Sequence, residues 1–162
     1  MADTIGNKLS LPALDPEMVE GRVGFIYPDP FKRTGEGRHK HALGNALGLQ
    51  NIGVNLTRLE PCAWSALRHW HIAQDEFIYV LEGEVTLITD EGEQVLEPGM
   101  AAAFPANVAN GHHLVNRSAA PARILEVGDR LPGDSALYPD DDIAARSGLK
   151  GWVFDHRDGT PY

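Results

Sequence analysis

The residues with the most chemical content lie between positions 69 and 83. His69 and His71 stand two apart in a stretch that reads as a strand, so both imidazoles project from one face. A short loop over 72–75 follows, and Glu76 is expected to open the adjacent strand, from which its carboxylate can reach the same point. Two imidazoles and a carboxylate make an N/N/O set suited to a divalent transition metal, and Zn, Mn, Fe or Ni would each be compatible. His112, at the start of a later strand and followed by Asn116, is the candidate for a fourth ligand. His113 adjoins it, and strand neighbours face opposite ways, so only one of the two can point inward. Hydrogen-bonded strand histidines would show the same H-x-H pair; it is Glu76 at this spacing that favours ligation of one ion per chain.

Other reactive side chains carry less. His39 and His41 form a second H-x-H, but with no carboxylate at a matching distance they read as solvated. Cys62, the single cysteine, sits beside Pro61 as a small buried or turn residue, and no triad partner marks it as a nucleophile. Trp64, Trp70, Tyr79 and Phe104 read as core or interface residues. Arg58, Arg68 and Arg123 fall on expected strands, where an inward guanidinium could fork onto a carboxylate or phosphate. If His69 and His71 face in, Arg68 faces out. Arg58 shares a face with Ile52, Val54 and Leu56 and is expected to point inward as a substrate-binding residue near a mouth.

The spacing of these residues resembles the cupin family, whose first motif is G-x5-H-x-H-x3,4-E-x6-G and whose second is G-x5-P-x-G-x2-H-x3-N. The first runs from Ala63, where the family has Gly, through His69, His71 and Glu76 to Gly83. The second begins at Gly99, reaches Pro105 in register and ends as His112 to Asn116. Asn107 replaces its usual Gly, and two extra residues put Asn110 at the nominal ligand position. The H-x3-N register favours His112 over His113, leaving His113 to the surroundings of the site or the surface. The resemblance spans about 53–128 and implies a double-stranded β-helix, or jelly-roll barrel, with the metal inside near one mouth.

The elements needed to position these residues can be read independently. Ile52, Val54 and Leu56 alternate with Gly53, Asn55 and Thr57, the period of a half-buried strand. Further strands are expected over 66–72, 76–81, 85–89, 94–96, 101–104, 112–116 and 123–127, with a hairpin turn over 90–93. About eight short strands between turn signals point to an all-β antiparallel barrel or sandwich. Residues 1–50 read as an irregular arm broken by Pro12, Pro16, Pro28 and Pro30, with one possible strand over 23–27, packing on the body or on a second subunit. Residues 51–130 form the barrel. Residues 131–162 read as a flap, with a helical turn or two over 140–146 and an extended piece over 152–154.

Composition narrows the partners. In 162 residues, 14 Lys and Arg face 23 Asp and Glu, for a formal charge of −9. Nucleic acid and anionic membrane are therefore not expected partners, because both require a basic footprint. The 43% apolar fraction supports a core. Seventeen Gly and eleven Pro exceed the roughly 7% and 5% of average usage and favour turns over long helices. No apolar run approaches a membrane span, no secretory leader is read at the N-terminus, and one cysteine excludes an internal disulfide framework. A cytoplasmic protein and, by family analogy, a homodimer are expected.

Three His and one Glu leave open positions on a five- or six-coordinate ion, the mark of a catalytic site. A small polar substrate with adjacent hydroxyl and carbonyl groups would chelate there, the ion stabilising an enediolate as a Lewis acid. That is aldose–ketose isomerisation, and the resemblance favours it, on a sugar or sugar phosphate, with Glu126 as the candidate base. The same ligands would serve an Fe-dependent dioxygenase. A binding or sensor module without turnover is the third reading.

Overall fold

The structure is a computed structural model that describes residues 9–149 and 151–162; the N-terminal residues 1–8, read above as lacking a leader, lie outside the described residues. Thirteen strands occur among the described residues. In chain order they are β1 (Gly21–Val23), β2 (Arg38–His41), β3 (Ile52–Leu59), β4 (Trp70–His71), β5 (Glu76–Glu82), β6 (Val85–Thr89), β7 (Gly92–Leu96), β8 (Ala101–Phe104), β9 (His113–Val115), β10 (Ala122–Asp129), β11 (Ser135–Leu137), β12 (Ala144–Gly148) and β13 (Gly151–Asp155). Alternation shows most plainly in β5, where Ile78 and Val80 are buried while Phe77, Tyr79 and Leu81 face out.

One antiparallel sheet runs in the order β1-β2-β3-β10-β5-β8. Two smaller sheets, β7-β6-β9 and β13-β12-β11-β4, form the facing layer. Isolated bridges Trp64↔Val115 and His69↔His112 join those two, so the layer is continuous across the histidines. Between the layers, Leu59, Val80, Val85, Leu87, Leu114 and Ile124 form an apolar core. A second cluster, with Phe25, Tyr27, Leu67, Tyr138, Ile143 and Ala145, packs the arm and the C-terminal segment together. The all-β jelly-roll expectation holds.

Several local expectations need correction. The possible strand over 23–27 is instead β1, ending at Val23; Phe25 and Tyr27 leave the strand and are buried. The arm also contributes β2 and a short helix, α1 (Leu43–Ala46), packed on β3. The strand over 66–72 shortens to β4, because 64–69 is held by bridges and single backbone bonds rather than a continuous ladder. The helical turns over 140–146 are absent: Asp140 is drawn to Arg68 by a bidentate pair at 2.7 Å, and 144–148 pairs between β11 and β13 as β12.

Gly83 closes the first motif for a steric reason. Its φ is +72°, and a Cβ there would lie 2.6 Å from the Pro121 carbonyl oxygen and 2.8 Å from Ala122 Cα. The neighbours are backbone and cannot swing away. Gly83→Ala is expected to destabilise the fold by at least about 1–3 kcal/mol from the left-handed backbone alone, read as a lowered urea midpoint; an unchanged midpoint would contradict the steric argument. Asn116, which ends the second motif, is fully buried. Its Nδ2 donates to the carbonyls of Leu59 and Ala120, at 2.9 and 2.8 Å, and its Oδ1 accepts from Ser118, so its role is to tie β9 to β3 and to the turn before β10.

Candidate metal centre

His69, His71, Glu76 and His112 come together at the wall of a cavity of about 1070 Å³ between the layers. Their focus is one atom, Glu76 Oε2. His112 Nε2 lies within hydrogen-bond distance of it, at 2.9 Å, and the Nε2 atoms of His71 and His69 lie at 3.6 and 3.7 Å. Ligand atoms of His69, His71 and Glu76 all fall within 4.8 Å of one another. Glu76 is not on a strand bonded to β4, as the spacing implied; it reaches across from the opposite sheet.

The tautomers follow from the outer partners. His69 Nδ1 donates to the Leu67 carbonyl at 2.7 Å, and His71 Nδ1 donates to Asp134 Oδ2 at 2.6 Å. Each ring then presents an unprotonated Nε2 toward the Glu76 carboxylate. Acceptors facing an acceptor at this range repel unless a cation lies among them. Ligands held at about 2.1 Å from one ion sit roughly 3.0–3.4 Å apart, close to the Nε2–Oε2 separations found, so His69, His71 and Glu76 fit a divalent transition metal, while His112 reaches Glu76 but lies outside that group of three.

For His69 the local electrostatics favour the same protonation state. Burial lowers the His69 pKa to about 4, more than Glu76 raises it, and the neighbouring His112 and His71 push the same way. Its ring is neutral at pH 7, the form that ligates. Burial raises the Glu76 pKa, but the His112 hydrogen bond and the nearby His69 and His71 outweigh it and hold the carboxylate ionised.

Packing fixes the rings. Phe104, directly opposite Glu76 in the β5–β8 register, stacks on His112 with centroids 3.5 Å apart. Tyr138 stacks on His69 at 5.6 Å, and Trp152 meets His71 edge-on at 5.6 Å. Asp134, Tyr138 and Trp152 all come from the C-terminal segment, and the sequence reading names none of them. Asp134 is 3% exposed and also accepts from the Ala73 amide at 2.8 Å. Its setting, Pro132-Gly133-Asp134, reads as an ordinary turn; only its contact across 63 residues reveals its use.

The remaining candidates separate. His113 is neither at the centre nor on the surface: it is buried, donates from Nδ1 to the Ala66 carbonyl at 3.1 Å and packs edge-on against Trp64. The Asn110 side chain is engaged elsewhere, its Oδ1 accepting from the Asp90 amide at 2.9 Å. Glu126 lines the cavity, where its Oε2 accepts from Thr57 at 2.7 Å and pairs with Lys40 at 3.1 Å. Burial raises its pKa, but Lys40, Arg38 and Thr57 together bring it below the usual carboxylate range.

Arg58 is not brought to the cavity. It is exposed and pairs with Glu60 at 2.9 Å. The apolar face of β3 that it shares is the outer one, with Leu56 covered there, while Gly53, Asn55 and Glu126 line the cavity. Arg68 faces out as expected and binds Asp140 and Asp90; Arg123 pairs with Glu17 and Glu82. His39 and His41 are half-buried rather than solvated, on the outer side of β2, with His41 Nδ1 donating to the Val19 carbonyl. Cys62 is an exposed turn residue with φ 69°.

Comparison with known proteins agrees with this architecture. The cupin domain family matches residues 55–128. A sugar phosphate isomerase of the cupin superfamily from Silicibacter pomeroyi is 46% identical, with 93% of this chain and 96% of that one covered at a TM-score of 0.89. A candidate sugar phosphate isomerase from Acidithiobacillus ferrooxidans is 27% identical over 90% of this chain and 88% of that one, at 0.73. The polyketide cyclase RemF from Streptomyces resistomycificus, 21% identical over 72% and 78%, shares the fold at 0.61. No curated protein shows significant similarity. Strand topology, motif spacing and a near full-length relative at 46% identity lead to one conclusion: the chain belongs to the cupin superfamily.

Proposed function

We propose that this cupin is a metal-dependent isomerase acting on a sugar or sugar phosphate, with His69, His71, Glu76 and His112 as ligands of one divalent ion. The observation that carries the reading is the convergence of three imidazole Nε2 atoms on one carboxylate oxygen at the wall of a large cavity. The reaction class draws on the 46% identical relative, which bears the name sugar phosphate isomerase.

A bound divalent ion supplies Lewis acidity to a chelating hydroxyl–carbonyl pair. The chain's own residues do the rest. Leu67 and Asp134 keep the protons of His69 and His71 on Nδ1. We assign Glu126, ionised at neutral pH, the role of the base that takes a proton from substrate; its contacts to Thr57 and Lys40 both use Oε2, so neither engages Oε1. Tyr27 stays neutral because burial pushes its phenol up to about 12, and Tyr138 is raised likewise, so neither adds charge near the substrate.

The assembly proposed is a cytoplasmic homodimer. No helix among the described residues is long and apolar enough to cross a membrane. Phe77, Tyr79 and Leu81, each about two-fifths exposed on the outer face of β5, offer a self-complementary apolar stripe.

Protein purified without chelator or affinity metal, then assayed with aldoses, ketoses and their phosphates, tests the proposal. About one ion per chain is expected, with interconversion that His69→Ala and His112→Ala abolish, and a dimer in light scattering. Iron with substrate-dependent dioxygen uptake would replace the isomerase with a dioxygenase. Tight binding without product would leave a binding module, and a monodisperse monomer would remove the dimer.

A further inference from the structure

The cavity wall formed by the N-terminal arm carries charge that the metal centre does not use. Register pairs Arg22 with Lys40, Lys40 with Thr57 and Arg38 with Leu59. Arg38 and Lys40 are two apart on β2, so these side chains share the inner face with Thr57, Asn55 and Glu126. Arg22, Arg38 and Lys40 all line the cavity.

Their partners do not balance them. Lys40 has Glu126 at 3.1 Å. Arg38 is only 5% exposed, and although its Nη1 donates to the Gly24 carbonyl and its guanidinium lies over the Phe25 ring, its Nε has no acceptor among the described residues. Among the described residues Arg22 has no carboxylate within ion-pair distance, and Glu20, the other acid on this rim, is exposed. A buried guanidinium with an idle donor is costly. Two further cations beside it raise that cost. An anion entering the cavity would relieve both penalties.

Building on the isomerase reading, we propose that Arg22, Arg38 and Lys40 form an anion subsite that receives a phosphate or carboxylate carried by the substrate at the end away from the metal centre. Arginine forks match the planar or tetrahedral oxygens of such groups. Position supports the assignment. Glu76 pairs with Gly128 on β10, Glu126 is the next inward residue of that strand, and β3 and β2 follow across the sheet. Strands about 4.8 Å apart put β2 roughly 14 Å from β5 at the backbone, and the long cationic side chains close part of that gap. A substrate of several carbons would bridge it, with Glu126 alongside its middle. A neutral sugar could accept from Arg38 Nε through a hydroxyl but would leave the charge of the three cations unbalanced.

Calorimetric titration of the metal-loaded full chain with inorganic phosphate, and separately with acetate, repeated after chelation, tests the subsite. At least one anion should bind with and without the ion, and the tighter one identifies the group on the substrate. Arg38→Met and Arg22→Met should each weaken binding about tenfold or more, with metal content unchanged. Arg22 lies at the exposed rim, so its variant decides the matter even if Arg38→Met fails to fold. Anion binding that vanishes on chelation, or that Arg22→Met leaves unchanged, overturns the subsite. A protein that retains no ion and isomerises nothing, yet loses phosphate binding in the arginine variants, would refute the isomerase reading and leave the subsite standing.

Discussion

Glu76→Gln is expected to lower metal affinity by more than about 100-fold, beyond the 10–100-fold typical of losing an outer hydrogen-bond partner, and to take turnover below detection. The substitution keeps the size of the side chain and a carbonyl oxygen on β5, but it removes the one charge on which His69, His71 and His112 converge. The amide can also turn its NH₂ toward the imidazoles and occupy their lone pairs. The fold should survive, because the apolar core lies apart from this side chain and a buried ionised carboxylate carries a desolvation cost that the amide avoids. Ion content after dialysis and the thermal midpoint of chelated protein separate the two effects. A variant that retains about one ion per chain would remove Glu76 from the ligand set.

The local half of this site was readable because strand geometry has a period of two. H-x-H must put both rings on one face, and a seven-residue reach from His69 brings Glu76 into range. His112 followed from its distance to Asn116, and the structure gives that spacing a cause: the buried Asn116 amide anchors the end of β9, so the residue four earlier is held at a fixed height in the barrel. The two extra residues are absorbed in the loop before it, where Asn110 turns to the Asp90 amide.

What escaped the sequence depends on which face of a strand meets water and on contacts far along the chain. Apolar alternation ordinarily marks the buried face, and on that rule Arg58 points inward. Here the cavity demands polar residues, so Asn55 and Glu126 turn in while the apolar face of β3 is covered by α1. The arm reads as irregular, with one possible strand, because its strands are short, yet pairing of β1 on β2 and of β2 on β3 is what carries Arg22, Arg38 and Lys40 into the cavity. The C-terminal segment looked like a cover. It is also a supplier of side chains, holding His69, His71 and the second core cluster through Tyr138, Trp152 and Asp134.

That dependence on a distant carboxylate makes Asp134 the second position where a large effect is expected. Asp134 Oδ2 accepts the Nδ1 proton of His71 at 2.6 Å, and Oδ1 accepts the Ala73 amide at 2.8 Å, so one buried side chain fixes both the ring and the loop that leads to Glu76. A carboxylate behind a ligating imidazole sets its tautomer and raises its basicity, and losing it typically costs 10–100-fold in metal affinity. In Asp134→Asn the amide oxygen can still serve Ala73, but the NH₂ then faces His71 Nδ1 and moves the ring proton to Nε2, toward Glu76. That tautomer cannot ligate. Metal affinity should therefore fall about 10–100-fold, with little change in fold. Asp134→Ala should fall as far in affinity and also lose stability, about 1–3 kcal/mol for the Ala73 amide left without its acceptor. Competition with a chelator of known affinity measures the first effect and urea denaturation of the metal-free protein the second. Equal affinity in wild type and Asp134→Asn would show that the tautomer of His71 is set by something other than Asp134.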